Sequence, residues 1–324
     1  MLSDRPILAT LAYYDGFRWP LTIAELHERL IPSGRLEVSD ARPDIGALVA
    51  RVDALVRSGQ VRSDLGLYAS AGADGGIFAS RVVREKEHAQ KWRRMRRHAR
   101  WLQAVPFVRA LIASGSLALG NTGPDSDWDV FVVARSGRLY TARAFLLLSA
   151  AVMGRLRTKR DSVAPDRFCF NHYVTTDGLA IRYRSLFIAH ALSWMMPIID
   201  HDRYLGRLRQ ANLWTADYVT GNAGSRFMHR EVPRSRLLGM VRSVIELPLR
   251  TVLGDWLERG LRAWQCRRIE REPATHERGG RVVADDREIE FHPRSAERMV
   301  IDRYNAALAG LGVRRTEPDS GLTR

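Results

Sequence analysis

Two acids one residue apart, Asp127 and Asp129, follow a Gly115-Ser116 pair across a ten-residue loop and run directly into the apolar segment Val130-Phe131-Val132-Val133. On a strand alternate side chains share a face, so both carboxylates project together while Trp128 points the other way. Side by side they repel, and each holds protons more tightly unless a dication shares them. Hard carboxylate oxygens suit Mg²⁺, which keeps several waters and takes a substrate's phosphate oxygens as further ligands. Gly115 leaves room for backbone N–H groups to approach a phosphate, and Ser116 adds a hydroxyl. Ser126, next to the first acid, and Arg143, on the helix after the strand, are further candidates for holding nucleotide phosphates, although an exposed Arg is the ordinary reading of Arg143. Two ions held by such acids fit phosphoryl transfer, one lowering the pKa of the acceptor hydroxyl and the other neutralising the leaving pyrophosphate.

A lone Gly-Ser pair carries no such meaning, and a lone Asp-x-Asp is usually a turn or cap; the combination with an apolar strand is far more specific. The segment resembles the DNA polymerase beta-type nucleotidyltransferase superfamily, whose minimal pattern is an apolar residue, Gly, Gly or Ser, a spacer, and Asp-apolar-Asp. Tyr14-Asp15-Gly16-Phe17, Gly66-Leu67-Tyr68, Pro106-Phe107-Val108-Arg109, Ser126-Asp127-Trp128-Asp129, Phe168-Cys169-Phe170-Asn171-His172-Tyr173 and Phe291-His292-Pro293 are similar to a bacterial group of nucleotidyltransferase-domain proteins. The resemblance implies an α+β core, a nucleoside triphosphate substrate, Mg²⁺, and catalytic roles for Asp127 and Asp129. It also implies a third carboxylate on a later strand, and here the sequence departs: Phe168 to Val174 holds no acid, with Asn171 in its middle, Asp166 just before it and Asp177 in the following turn. Either Asn171 joins Asp127 and Asp129 on the metal, or Asp166 does, or the site binds nucleotide and works poorly.

The elements around this segment give an α/β fold class, an α+β nucleotidyltransferase core flanked by an N-terminal module and a mostly helical C-terminal region. Residues 1–70 read as three helices and a hairpin, the order of a winged helix-turn-helix: Ile7 to Tyr14 stopped by Gly16, a second helix capped by Thr22, and a third from about Pro43 to Gly59. The hairpin follows at Val61 to Tyr68, turning at Asp64-Leu65-Gly66. The third helix carries Asp44, Arg51, Asp53 and Arg57, a mixed set rather than a basic stripe, so DNA reading by it is the weaker use. Residues 71–104 read as a joint and a basic linker helix, with Val83, Trp92, Met95 and Trp101 for docking. Its cations either grip a polyanionic acceptor such as RNA or the triphosphate, or are solvated while their stems cover apolar surface. Residues 105–185 read as the core, closing with a hairpin of Arg167 to Thr175 and Leu179 to Arg184. Residues 186–324 read as helices (Leu186 to Met196, Asp202 to Asn212, Arg236 to Arg271, Ala296 to Leu311), with only Arg281 to Phe291 extended or looped. Pro248 should kink the third of these. Its apolar positions from Leu238 to Trp264 pack on the core or lie on an anionic membrane surface.

Composition sets outer bounds. The 324 residues imply two or three packed units, and 45% apolar with 27% charged content is globular. Fifty-one basic against 36 acidic residues give +15, which favours a polyanionic partner or reflects Arg used throughout. Two cysteines, Cys169 and Cys266, make neither a disulfide framework nor a zinc site. The first residues lack a secretory pattern and no run reaches spanning length, so a cytoplasmic protein is expected. His172 and His190 read as structural histidines, and Trp194, Met195 and Met196 as core.

Overall fold

The computed structural model describes residues 3–32, 43–158, 161, 163–221, 230–277, 279–293 and 295–310. It is a mixed helix-and-sheet protein. The N-terminal segment runs α1 (Asp4–Asp15), β1 (Leu21–Thr22), α2 (Ile23–Arg29), α3 (Ile45–Arg57), β2 (Val61–Asp64) and β3 (Leu67–Ser70), the strands pairing in the order β1-β3-β2. Local chemistry sets these limits. The Thr22 hydroxyl accepts from Glu25 N–H while the Glu25 carboxylate accepts from Thr22 N–H, closing a reciprocal cap on α2. Leu65 and Gly66 turn the hairpin with φ of 54° and 74°, the paired left-handed geometry of a two-residue loop. Leu311, the expected end of the last helix, and residues 33–42 lie outside the described residues.

The central sheet has the order β7-β4-β5-β6-β9-β8, from β4 (Val108–Ala113), β5 (Trp128–Ala134), β6 (Phe168–Thr175), β7 (Met196–Ile199), β8 (Arg281–Ala284) and β9 (Glu288–His292). Strand β5 pairs antiparallel with β4 and parallel with β6. The expected hairpin of 167–175 with 179–184 does not form. Residues 179–185 are irregular, and the antiparallel neighbour of β6 is β9, from the stretch expected to be merely extended or looped. The sheet thus draws three strands from beyond residue 185, including Met196, expected at a helix end.

One face of the sheet meets α6 (Leu139–Val152) through Val130, Val132, Phe168 and Tyr173, within an apolar cluster that continues through Tyr13, Trp19 and Leu48 of the N-terminal segment. That cluster spans the N-terminal segment and this face of the sheet. The other face packs Phe131, Val133 and Val174 against α7 (Leu186–Trp194) and α8 (Tyr204–Ala211). The helix α11 (Glu297–Ala309) closes on α1, where the Tyr13 and Tyr304 rings meet edge-on at 5.7 Å.

Two further helices, α9 (Arg236–Leu249) and α10 (Val252–Glu270), replace the single one expected over 236–271. Pro248 ends the first, and Gly254 lets the second turn back, since a Cβ there would stand 1.8 Å from the Leu249 carbonyl oxygen. Their inner sides dock by polar anchors. Glu246, 2% exposed, receives Arg109 in a two-pronged ion pair, Arg250 at 2.7 Å, and the N–H of Phe107 at 2.8 Å. Gln265 bridges Arg143 and the Tyr140 carbonyl. Their apolar outer sides do not pack on the core. Leu237, Met240, Val244 and Leu247 of α9 and Trp256 and Trp264 of α10 are exposed.

Burial alone would push the Glu246 carboxyl up, but Arg109, Arg250 and the Phe107 N–H outweigh it and hold it at about 2. A depressed carboxyl stabilises the fold above its unfolded value and loses that contribution as pH falls through the folded one. Glu246→Ala should therefore cost about 3 kcal/mol at neutral pH, leaving Arg109 and a buried N–H without their partner. In urea titrations the gap to the parent should shrink between about pH 4.5 and about pH 2; a gap constant over that range contradicts the assignment.

Candidate active site

Strand β4 ends at Ala113, and Ser114 N–H still reaches the Asp129 carbonyl at 3.0 Å before the chain turns into α5 (Gly115–Leu119). Gly115 makes that turn with φ of 55°, and a Cβ there would stand 2.5 Å from Asp129 Oδ2. Both facts demand glycine: the backbone conformation is left-handed, and the acid lies directly against the main chain. Gly120 closes α5 with φ of 87°, and the Trp19 ring from the N-terminal segment packs where its side chain would be.

Strand alternation puts Asp127 and Asp129 on one face, the Phe131 side, with Trp128 on the other. Their carboxylates and the Cys169 thiol offer ligand atoms all within 4.8 Å of one another. Cys169 is the register partner of Asp129, and His172 that of Phe131, so β6 carries one extra residue between them. That bulge lets both Cys169 and His172 face the acids' side, and it brings Asn171 Nδ2 to 3.4 Å from Asp129 Oδ1. Of the two candidates for a third ligand, the fold presents Asn171 to the pair. Asp166 instead accepts from Lys91 and from Arg94 at 2.5 Å, and those cations hold its carboxyl below the usual range against the upward pull of burial. Asp177 is bonded by the Ser136 hydroxyl in its turn.

Arg157 was not foreseen. Its Nη1 lies 2.5 Å from Asp127 Oδ2, and it is placed by a short pairing of Arg155 to Arg157 against Phe168 at the start of β6. The only sequence signal is a basic run, Arg155 to Arg160. Cys169 was missed because a thiol on a strand reads as packing. Burial, then the neighbouring Asp129 and Asp127, pushes that thiol well above its usual value, so it faces the acids as a neutral SH. Asp129 is raised to about 7, first by burial and then by Asp127, with Arg157 opposing. Arg157 supplies positive charge to Asp127, and Asp129 is the less compensated of the two.

Three expected site residues are placed differently from one another. Ser116 is half-buried on α5, one residue from the glycine against Asp129. The Ser126 hydroxyl accepts from Gly123 N–H and closes the loop before the acids, while its carbonyl accepts from Lys91. Arg143 lies on the opposite face of the sheet: it donates to Gln265 at 2.6 Å and stands over the Tyr173 ring, on the side where α6 packs. A helix following a strand covers one face only, and α6 covers the face away from the acids. His172 and His190 are structural, as expected, bonded to Glu288 and to the Tyr14 hydroxyl. Glu288, Glu290 and His172 also cluster, but Arg281 pairs with Glu290 in two-pronged fashion and supplies the balancing charge.

The basic helix, α4 (Ile77–Ala99), is a strut rather than a solvated linker. Arg81 is buried, 3.6 Å over the Trp19 ring, and bonds the Pro20 carbonyl, Glu25 and Glu85. Arg84 reaches Asn121 at 2.5 Å, and Asn121 in turn donates to the Phe17 carbonyl. Lys91 is fully buried and donates to the Pro124 carbonyl, the Ser126 carbonyl and Asp166. Trp92 and Met95 dock as expected, whereas Val83 and Trp101 are exposed. Arg94 and Arg96 are engaged inside the protein, by Asp166 and the Glu231 carbonyl; Arg93 and Arg97 are exposed.

No protein-family model matches the chain, and neither does any curated protein or solved structure.

Two outcomes follow from this geometry. Lys91→Met should cost about 3–5 kcal/mol and raise amide exchange across residues 121–127, because three acceptors lose a buried cation; unchanged exchange there would show that the loop is held otherwise. Asp129→Asn should act in the opposite sense in chelator. A carboxyl raised to about 7 opposes folding increasingly as pH climbs from its unfolded value through the folded one. The variant should therefore melt about 3 °C or more above the parent at pH 8, a difference that vanishes near pH 4.

Proposed function

We propose that this chain is a Mg²⁺-dependent nucleotidyltransferase of the DNA polymerase beta type, transferring a nucleoside monophosphate from a nucleoside triphosphate to an acceptor hydroxyl. The bond from the acceptor oxygen to the α-phosphorus forms as the bond to the β-phosphate oxygen breaks, and pyrophosphate leaves with the electron pair. The observation that carries this reading is the convergence of Asp127 and Asp129 with a glycine turn so tight against Asp129 that no Cβ fits.

The donor set fits the metal. Two carboxylates, one with its proton affinity raised by burial and by the other, form a hard, anionic pair that a dication relieves, and the Asn171 amide oxygen is a neutral hard donor once the amide is turned. The neutral Cys169 thiol is soft and adds nothing to Mg²⁺. Bound there, Mg²⁺ would supply charge neutralisation at the phosphates and acidify the acceptor hydroxyl. The chain's own contributions are positional. Gly115 and Ser116 bring main-chain N–H groups and a hydroxyl beside the acids, within reach of phosphate oxygens. Arg157, held by Asp127 at the rim, is 38% exposed on its side chain and free to turn to the triphosphate when a metal takes its place. Ser126 acts through the loop, as the closing hydrogen bond that sets the approach to Asp127. Arg143 has no part in it.

A second reading has its own support. Among the described residues, no third carboxylate joins the cluster of Asp127 and Asp129, and Arg157 already neutralises one of the two. Those features also suit a nucleotide-binding protein with little turnover. The accompanying idea, nucleic acid gripped by a winged helix and a basic helix, draws less support. The order and pairing of α1 to β3 suit a winged helix, but α3 exposes Ile45, Val49, Asp53 and Arg57, a face with no net charge. Most inward cations of α4 are committed to the fold. We read the module as the packing unit that seats Trp19 against the active-site loop.

Asp127→Asn and Asp129→Asn should each lower Mg²⁺-dependent pyrophosphate release at least about a hundredfold with the fold intact. Asn171→Asp should tighten Mg²⁺ and raise the rate, since it adds a charged ligand beside Asp129. Turnover persisting in both acid variants sinks the catalytic assignment, and Mg²⁺-dependent triphosphate binding without pyrophosphate release selects the second reading.

A further inference from the structure

The outer side of α9 and α10 is unusual in two independent respects. First, it is apolar where a surface helix is polar. Leu237, Val244 and Leu247 recur at helical spacing on α9 and are each two-thirds exposed, and Trp256 and Trp264 continue the surface on α10 at 67% and 56%. Second, its charge is one-sided. Residues 236–271 hold eight arginines and four acids. Three of those acids turn to the protein body: Glu246 to Arg109 and Phe107, Asp255 to Arg138, and Glu258 to the N–H groups of Tyr140 and Thr141. Glu270 is the one left over.

The arginines frame the apolar surface rather than interrupt it. Arg259 stands 4.7 Å over the Trp256 ring and Arg268 5.6 Å over Trp264. Beside Trp264, an open cleft of about 560 Å³ is lined by Gly260, Ala263, Arg267, Arg268, Arg271 and Glu272. Three guanidinium groups around a shallow cleft at the edge of an apolar face match a phosphate-bearing headgroup whose acyl chains lie alongside. Tryptophan with an aliphatic face and arginines that snorkel from it is the chemistry of a helix lying in the interfacial plane of a bilayer.

We propose that α9 and α10 form a docking face for an anionic membrane surface, on which the protein lies without crossing. No helix among the described residues is long and apolar enough to span a bilayer. A second copy of the chain is a poor occupant, because two faces rimmed by arginine repel each other. Nucleic acid is a poorer one: Trp256 and Trp264 offer stacking, but the leucine, valine and methionine side chains that make up the rest of the face offer neither stacking nor phosphate contact. The inference does not depend on the reaction at Asp127 and Asp129.

Sedimentation of the full chain with lipid vesicles tests it. Vesicles containing about a third phosphatidylserine should bind at least about tenfold tighter than pure phosphatidylcholine, more weakly as salt rises, and with a blue shift of tryptophan emission. Combined Val244→Ser, Leu247→Ser, Trp256→Ser and Trp264→Ser should abolish binding to both vesicles while circular dichroism and pyrophosphate release stay as in the parent. Arg259→Gln with Arg267→Gln, Arg268→Gln and Arg271→Gln should erase the preference for the anionic lipid. The proposal is overturned if the parent binds neither vesicle, if the serine variant binds as well as the parent, or if the parent is a lipid-free dimer that the serine variant disperses. It is also overturned if the parent ignores both vesicles and binds polyglutamate through the same arginines, which would point to an acidic protein.

Discussion

The buried ammonium of Lys91 is the constraint on which the candidate site depends. A lysine with no exposed surface persists only where each of its three donors finds an acceptor, and here they find the Pro124 and Ser126 carbonyls and the Asp166 carboxylate. Those acceptors come from the loop that delivers Asp127 and from the residue that precedes β6, so one side chain of α4 fixes the entry of both site-bearing strands. Two of the acceptors are carbonyls of a loop that no sheet or helix satisfies, and the charge-assisted bonds replace the water they would otherwise need. Trp19 and Arg84 hold the other end of the loop at Gly120 and Asn121. The N-terminal segment and α4 are thus the mould in which the loop is cast.

The same economy explains why two like acids can sit together. Asp127 lies at the loop end, its side chain still 13% exposed, and has Arg157; Asp129 lies against the Gly115 main chain, with Asn171 and a neutral thiol beside it. The pair is therefore asymmetric before any ligand arrives. The outer acid is paired with a guanidinium, whereas burial and its neighbour raise the inner one to about 7. Coupled groups of this kind release protons as a pair, so the dication proposed for this site would displace a proton as well as a guanidinium.

Much of this was legible in the sequence because it is local. The Thr22-Glu25 cap, the Leu65-Gly66 turn, the break at Pro248 and the alternation of Asp127, Trp128 and Asp129 are each written within a few residues. What escaped is long-range. A parallel partner for β5 and an antiparallel partner for β6 supplied from residues 288–292 leave no turn signal, so the Gly178 turn was taken for a hairpin that the chain does not make. The bulge in β6 escaped too, and with it the reason that Cys169 and His172 share a face three residues apart. Arg143 sits on the helix that follows β5, near in sequence to the two acids, but the crossover puts that helix on the opposite side of the sheet.

The net charge of +15 looks different once its members are located. Lys91, Arg81 and Arg109 are buried or nearly buried structural cations engaged with acids or carbonyls, and Arg94 is paired with Asp166 while still partly exposed. Several of these cations share one acid, as Lys91 and Arg94 share Asp166 and Arg109 and Arg250 share Glu246, so internal pairing takes up part of the excess. On α9 and α10 the sorting goes furthest: acids anchor the inner side, where Arg242 and Arg250 join Glu246, while Arg259, Arg267 and Arg268 stand outside around side chains that water does not favour. Pairing inward and exposing both apolar groups and cations outward is costly for a freely tumbling protein, which gains nothing by leaving Trp256 and Trp264 each more than half exposed. The arrangement suits the anionic surface proposed for it, and the side of the molecule so presented is set by the same Glu246 and Gln265 anchors that tie these helices to the body of the protein.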